Sequence, residues 1–291
     1  MTSVDATRVD RVPAASRGGV DRSVRQVGFY ALLAVAGLLW SVPLVVLFFT
    51  AIKSAGDFAQ NGTFAWPKAI DWGNFSEAWD HGIKTYFLNS AVMTAIKVPT
   101  GILIEALAAF ALTQMSFRWE RVIFPIFLIG LIVPIQMTLV PLTLLLQTFN
   151  GIDTLHGLFV LYLGFGLPFG ILVLRGYFRT LPRELVEAAM MDGCSWFGVF
   201  WRIVLPMSTP ALVSLLILDG IATWNEFVLA QIFLRTDSVR TLPLGVVHFQ
   251  TEFSTAYDLL AAAQCITILP LLVIYLFFQR YFVNGLAGAI K

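Results

Sequence analysis

The chain has 291 residues, 58% hydrophobic and 13% charged, with a formal net charge of +1, and its mean hydropathy is +0.79. A water-soluble domain keeps about a quarter of its residues charged to wet a large surface, so this apolar excess requires lipid as a solvent. A net charge so close to zero gives no electrostatic basis for nucleic-acid binding, and no nucleic acid is expected as a partner.

Residues 1–26 are polar and carry Arg8, Arg11, Arg17, Arg22 and Arg25, which reads as a tail ahead of a membrane domain over 27–291. The tail resembles the charged start of a signal peptide. The apolar run after it is too long for that, and no small-residue cleavage pattern follows closely, so it reads as an uncleaved first span. A crossing helix needs about 20 apolar residues. Six stretches qualify: Val27–Ile52, Tyr86–Met115, Val122–Gln147, Leu155–Leu174, Ala211–Leu234 and Leu259–Phe278. Pro43, Pro134, Pro141, Pro168 and Pro270 fall inside them. Neighbouring helices can satisfy the carbonyls a proline frees, so these do not veto a span.

Orientation follows the basic residues. With the N-terminus in the cytoplasm, the inner side holds the five tail arginines, Arg118, Arg121, Arg175, Arg179, Arg183, Arg202, Arg280 and Lys291. The outer side holds only Lys53, Lys68, Lys84, Arg235 and Arg240. Both termini are therefore expected inside. Cys194 and Cys265 then lie toward opposite faces and are expected to be unpaired, buried thiols. The sequons at Asn61 and Asn74 are short enough to arise by chance and carry no weight. There is no G-x-x-x-x-G-K-[ST] phosphate loop, no H-E-x-x-H and no G-x-S-x-G. No catalytic constellation emerges, which favours transport over chemistry.

The longest inner loop, 175–208, reads as two short helices. Pro182 suits a first helical turn. Arg183 to Asp192 are good helix formers, with Arg183 and Glu187 spaced to pair. Gly193 stops that helix and Ser195 can cap the next. The second helix carries Trp196, Phe197, Phe200, Trp201 and Ile203, and Pro206 ends it. Small Ala188 and Ala189 beside charged Glu187 would let another protein's surface approach. The same pattern also suits a plain amphipathic connector lying on the bilayer.

Glu187-Ala188-Ala189, three residues, Gly193, nine residues, then Ile203-x-Leu205-Pro206 resembles the EAA signature of binding-protein-dependent ABC importer permeases. Trp224-Asn225-Glu226-Phe227 and the ending from Gln279 to Lys291 are similar to stretches of the carbohydrate, MalG-like members. Cys194 stands where alanine is common. The resemblance implies an all-α membrane fold of six transmembrane helices, the type I importer permease fold. In it Glu187, Ala188, Ala189, Asp192, Gly193, Ile203, Leu205 and Pro206 belong to a coupling helix region docking on an ATPase. It implies a second homologous permease, two ATPase subunits carrying ATP and Mg, and an external solute-binding protein, with no cofactor on this chain. The setting implied is the bacterial cytoplasmic membrane, and the cargo a sugar or oligosaccharide.

Polar residues inside spans are costly and need a reason. Lys97 and Glu105 are eight apart, about 12 Å along a helix, so each needs a partner other than the other. Asp219 and Glu226 are seven apart on one face, flanked by Trp224 and Asn225. Asp219, Trp224, Asn225 and Glu226 either line a path for a hydroxyl-rich solute or hydrogen-bond across helices or to a partner permease. An ion-coupled transporter using Lys97, Glu105, Asp219 and Glu226 is the alternative, and a lipid-acting enzyme would need a constellation that is absent.

Overall fold

The structure is a computed structural model and describes residues 18–115, 118–252 and 256–289. The arginines at 8, 11 and 17, and Lys291, lie outside the described residues. Among those described, all regular structure is helical. Helix α1 spans Gly18–Ala51 and takes in the last part of the stretch read as a polar tail. A first compact unit ends at Leu47 and a second begins at Phe48. In the first, Leu38 and Trp40 stand 69% and 84% exposed, as acyl-chain solvent permits.

The second unit opens with a capped segment. Ser54 caps α2 (Ala55–Asn61) through the Asp57 amide. Lys53 is fully buried, its Nζ donating to the Gly62 and Thr63 carbonyls at 2.7 and 3.2 Å. Asn74, in α3 (Gly73–Ala78), donates from Nδ2 to the Ala51 and Lys53 carbonyls at 2.9 and 2.7 Å. Its buried amide is structural, which removes that sequon from consideration. A π turn at Trp79–Ile83, where Gly82 adopts φ +116°, leads into α4 (Lys84–Gln114).

The expected third span is not one continuous helix. It consists of α5 (Glu120–Ile132) and α6 (Ile135–Thr148), bent by 105° at Val133–Pro134. The proline ring disfavours the helical region for the residue before it, and Val133 is extended. Pro43, Pro141, Pro168 and Pro270 lie within helices, so Pro134 alone of the five breaks its span.

Thr154 caps α7 (Leu155–Phe178). The loop after it holds α8 (Arg183–Met191), α9 (Trp196–Val199), a π turn at Phe200–Val204 and α10 (Leu205–Met207). The fifth expected span is α11 (Thr209–Trp224) and α12 (Val228–Phe233) with a break between them. Helix α13 (Leu242–Glu252) precedes α14 (Tyr257–Ala289). Among the described residues, five helical runs are long and apolar enough to cross a membrane, or six with the bent pair as one span.

Helices α4, α7 and α11 form the heart of the second unit, with α14 against α3 and α11. Its core has two parts. At the loop end, Ala106, Phe110, Leu174, Phe178 and Leu215 enclose Val186, Val199, Phe200 and Val204 of the loop helices. At the other end, Met93, Leu146, Leu158, Tyr162, Leu229 and Phe233 pack together. Arg175 fixes the loop end of α7 to α5, donating to Glu120 at 3.2 Å and lying 3.7 Å over the Phe124 ring.

Candidate functional site

The loop helices meet in a rigid corner whose geometry explains the motif spacing. The Gly193 amide donates to the Met190 carbonyl at 3.1 Å, and the Cys194 amide to the Ala189 carbonyl at 2.9 Å. This is a Schellman stop, in which the residue just past the helix end adopts a left-handed conformation. Gly193 does so at φ +81°. Ala189 supplies the accepting carbonyl four residues before Gly193, so the helix stop itself relates the alanine to the glycine. Ser195 then caps α9, its hydroxyl accepting from the Gly198 amide at 3.3 Å.

Val186 is the buried residue of α8, while Glu187, Ala188 and Asp192 are exposed and Ala189 is half-buried. Among the described residues Glu187 has no ion pair, so the brace to Arg183 is not made. Met191 and Phe197, at 88% and 68% exposed, leave an apolar rim around the corner. The opposite side is fastened inward. Phe110 of α4 meets Trp196 edge-on and Phe200 at 5.3 Å between ring centres. Val204 is fully buried, Ile203 and Leu205 are half-buried, and Pro206 is exposed. The corner thus presents a small face outward, with Glu187 and Asp192 exposed beside an apolar rim, and is anchored to three long helices behind. Cys194 and Cys265 are both free but half-buried rather than buried, because Cys194 sits at the edge of this corner.

Deeper in the bundle, Lys97 of α4 pairs with Asp219 of α11. Lys97, Glu105 and Asp219 are all buried. Lys97 therefore has a partner off its own helix, as its spacing from Glu105 demands. Among the described residues, Glu105 Oε2 and Asp219 Oδ2 are buried without a hydrogen-bond partner.

Glu226 stands at the break between α11 and α12. Its Oε1 accepts from the Leu229 amide at 2.8 Å. Its Oε2 accepts from the Ala230 amide at 3.2 Å and from the Tyr162 hydroxyl at 2.6 Å. A carboxylate there satisfies amides that a helix start leaves without partners and opposes the positive end of the dipole. Trp224 is buried and donates from Nε1 to the Thr267 carbonyl at 3.2 Å. Asn225 is exposed, with its Nδ2 on the Ile221 carbonyl at 2.9 Å. The structure thus separates the four path candidates: three hold helices together and Asn225 is open. Tyr162 and the glycines Gly166 and Gly170, which face the charged residues, escaped the sequence reading. The crowding of glycine and proline in Gly164–Gly170 was the available signal.

Residues 97–288 match the family described as binding-protein-dependent transport system inner membrane component. The chain belongs to that family: it is a multi-pass permease of an ABC importer, not an enzyme. It is 36% identical over 266 residues to the probable ABC transporter permease protein YurM of Bacillus subtilis, covering 90% of this chain and 86% of that one. It is 32% identical to the diacetylchitobiose uptake system permease protein NgcG of Streptomyces coelicolor, over 86% of this chain and 84% of that one. It is 29% identical to the arabinooligosaccharides transport system permease protein AraQ of Bacillus subtilis, over 92% and 97%. The fold matches a chain of a bacterial ABC transporter that imports the acidic polysaccharide alginate, with TM-score 0.79 and 24% identity over 93% of this chain and all of that one.

Proposed function

We propose that this permease forms one half of the membrane path for a sugar or oligosaccharide, and that the corner at Glu187–Ser195 receives the motion of an ATPase subunit. The observation that carries the reading is the corner itself. It is capped on both sides, anchored behind by Phe110 and Phe200, and bare at Glu187 and Ala188, where nothing among the described residues uses the exposed face. The oligosaccharide systems named among its relatives support the cargo class.

In this reading a second, homologous permease completes the path. Two ATPase subunits bind ATP and Mg below it, and a solute-binding protein delivers cargo above. Both termini lie in the cytoplasm. Asn225 borders the wet passage, while Asp219, Trp224 and Glu226 hold its walls in register. The chain performs no chemistry; it rocks between two arrangements set by the closure of its partners. Gentle extraction from native membranes should recover this chain with an ATPase and a second permease. Addition of Mg-ATP to the proteoliposome complex should then drive oligosaccharide uptake. Uptake that follows a proton or sodium gradient without ATP would refute the proposal.

A further inference from the structure

The Lys97–Asp219 pair ties α4 to α11 through charge, with Lys97 2% and Asp219 9% exposed. Burying charge in the hydrocarbon region is costly, and packed apolar residues commonly stabilise a core as well as a buried pair does. The pair is therefore a poor device for stability. It is a good one for register, since apolar helix surfaces can slide past one another and an ammonium on a carboxylate cannot.

The surrounding helices are cut to fit it. A Cβ at Gly166 would stand 2.8 Å from Lys97 Nζ and 3.7 Å from Asp219 Oδ1. A Cβ at Gly101 would meet Glu105 Oε1 at 3.6 Å and Asp219 Oδ2 at 3.8 Å. At Gly170 it would overlap the Glu105 carboxyl. Gly166 and Gly170 of α7 leave the room that the charges occupy, whereas a Cβ at Gly101 of α4 would come only to ordinary contact.

The pair also lies on the direct line from the corner. Helix α10 ends at Met207 and α11 begins at Thr209. Leu215, one turn before Asp219, belongs to the cluster that grips the loop helices. We propose that the Lys97–Asp219 pair transmits force: it makes α4 move as one body with α11 when the corner is displaced. The two residues are positioning residues, and the inference rests on the corner being the ATPase dock.

The test uses the full complex with Cys194 and Cys265 replaced by serine, and spin labels on Leu107 of α4 and Leu216 of α11. The interspin distance is compared without nucleotide and with Mg-ATP and vanadate. In the wild type it should stay constant. In Lys97→Met, Asp219→Asn and the apolar pair Lys97→Met with Asp219→Leu it should shift by about 1–2 Å or more, the scale of helix shifts in switching proteins. ATP hydrolysis should persist in these variants. The exchanged pair, Lys97→Asp with Asp219→Lys, should restore a constant distance.

A constant distance in the apolar pair overturns the proposal, as does a wild-type distance that changes with nucleotide. Failure of the apolar pair to assemble would make the contact a folding requirement, which also overturns it. Failure of the exchanged pair to restore the distance does the same. A wild-type chain that binds no ATPase would instead overturn the reading of the corner.

Discussion

At the residue scale, Gly193 decides whether the corner exists. A left-handed backbone is natural to glycine, whereas a branched side chain there costs about 1–3 kcal/mol. Space is not the obstacle, since a Cβ at Gly193 would meet nothing within 4 Å. The effect of Gly193→Val should therefore be one of conformation: α8 loses its stop, and Ala189 and Met190 lose their backbone bonds. The variant should insert and fold its bundle, yet recover several-fold less ATPase on purification and show a matching loss of ATP-driven uptake. Wild-type recovery and uptake would sink the account of the corner. Asn225→Ala would be a milder change, because among the described residues that side chain bonds only to the end of its own helix.

At the element scale, two connections between helices are held by carboxylates rather than by apolar packing alone. Asp57 Oδ2 accepts from the Lys68 amide at 3.0 Å and its Oδ1 from Asn61 at 2.7 Å. Asp153 accepts from the Thr236 hydroxyl and from the Arg235 and Thr236 amides, joining the start of α7 to the end of α12. The backbone bond from Lys68 holds Asp57 below its ordinary value of 3.8, although burial acts the other way. The bonds from Thr236, first its hydroxyl, lower Asp153 likewise. A carboxyl with a depressed folded pKa contributes stability above its unfolded pKa and loses it as pH falls through the folded value. Amide hydrogen exchange at Lys68, Arg235 and Thr236 should stay slow through neutral and mildly acidic pH. It should accelerate only below about pH 4, the unfolded carboxylate range. Loss of protection already near pH 6 would show that other groups hold these loops. Asp153→Asn should remove most of the acid sensitivity at Arg235 and Thr236 while leaving Lys68 unchanged.

At the scale of the whole molecule, the proposed orientation puts the corner in the cytoplasm, and Cys194 reports on it. The thiol is free and half-buried at the corner's edge, and Cys265 lies within α14. A membrane-impermeant maleimide should label Cys194 in inside-out vesicles and not in intact cells. Bound ATPase should slow that labelling. Labelling from outside the cell would invert the proposed orientation and separate the corner from any cytoplasmic partner.

Composition and local pattern determined much of this protein without any structure. Lipid as solvent, the number of apolar runs, the capped loop helices and the family motif all depend on residues close together in sequence. Such features are legible because helix periodicity, caps and stops act over a few residues. Pro134 shows the limit. Five prolines look alike in sequence, yet one bends its span by 105° while four sit inside helices. Which carbonyls find other partners is a matter of neighbours, not of the proline. The charged residues show it more sharply. Spacing excluded a bond between Lys97 and Glu105, but the partner of Lys97 lies 122 residues away. Glu226 shares a face with Asp219 in sequence, yet it ends at a helix start bonded to Tyr162, 64 residues before it. Only the packing of α4, α7 and α11 brings those groups together, because a buried charge is satisfied by whatever the tertiary fold places beside it.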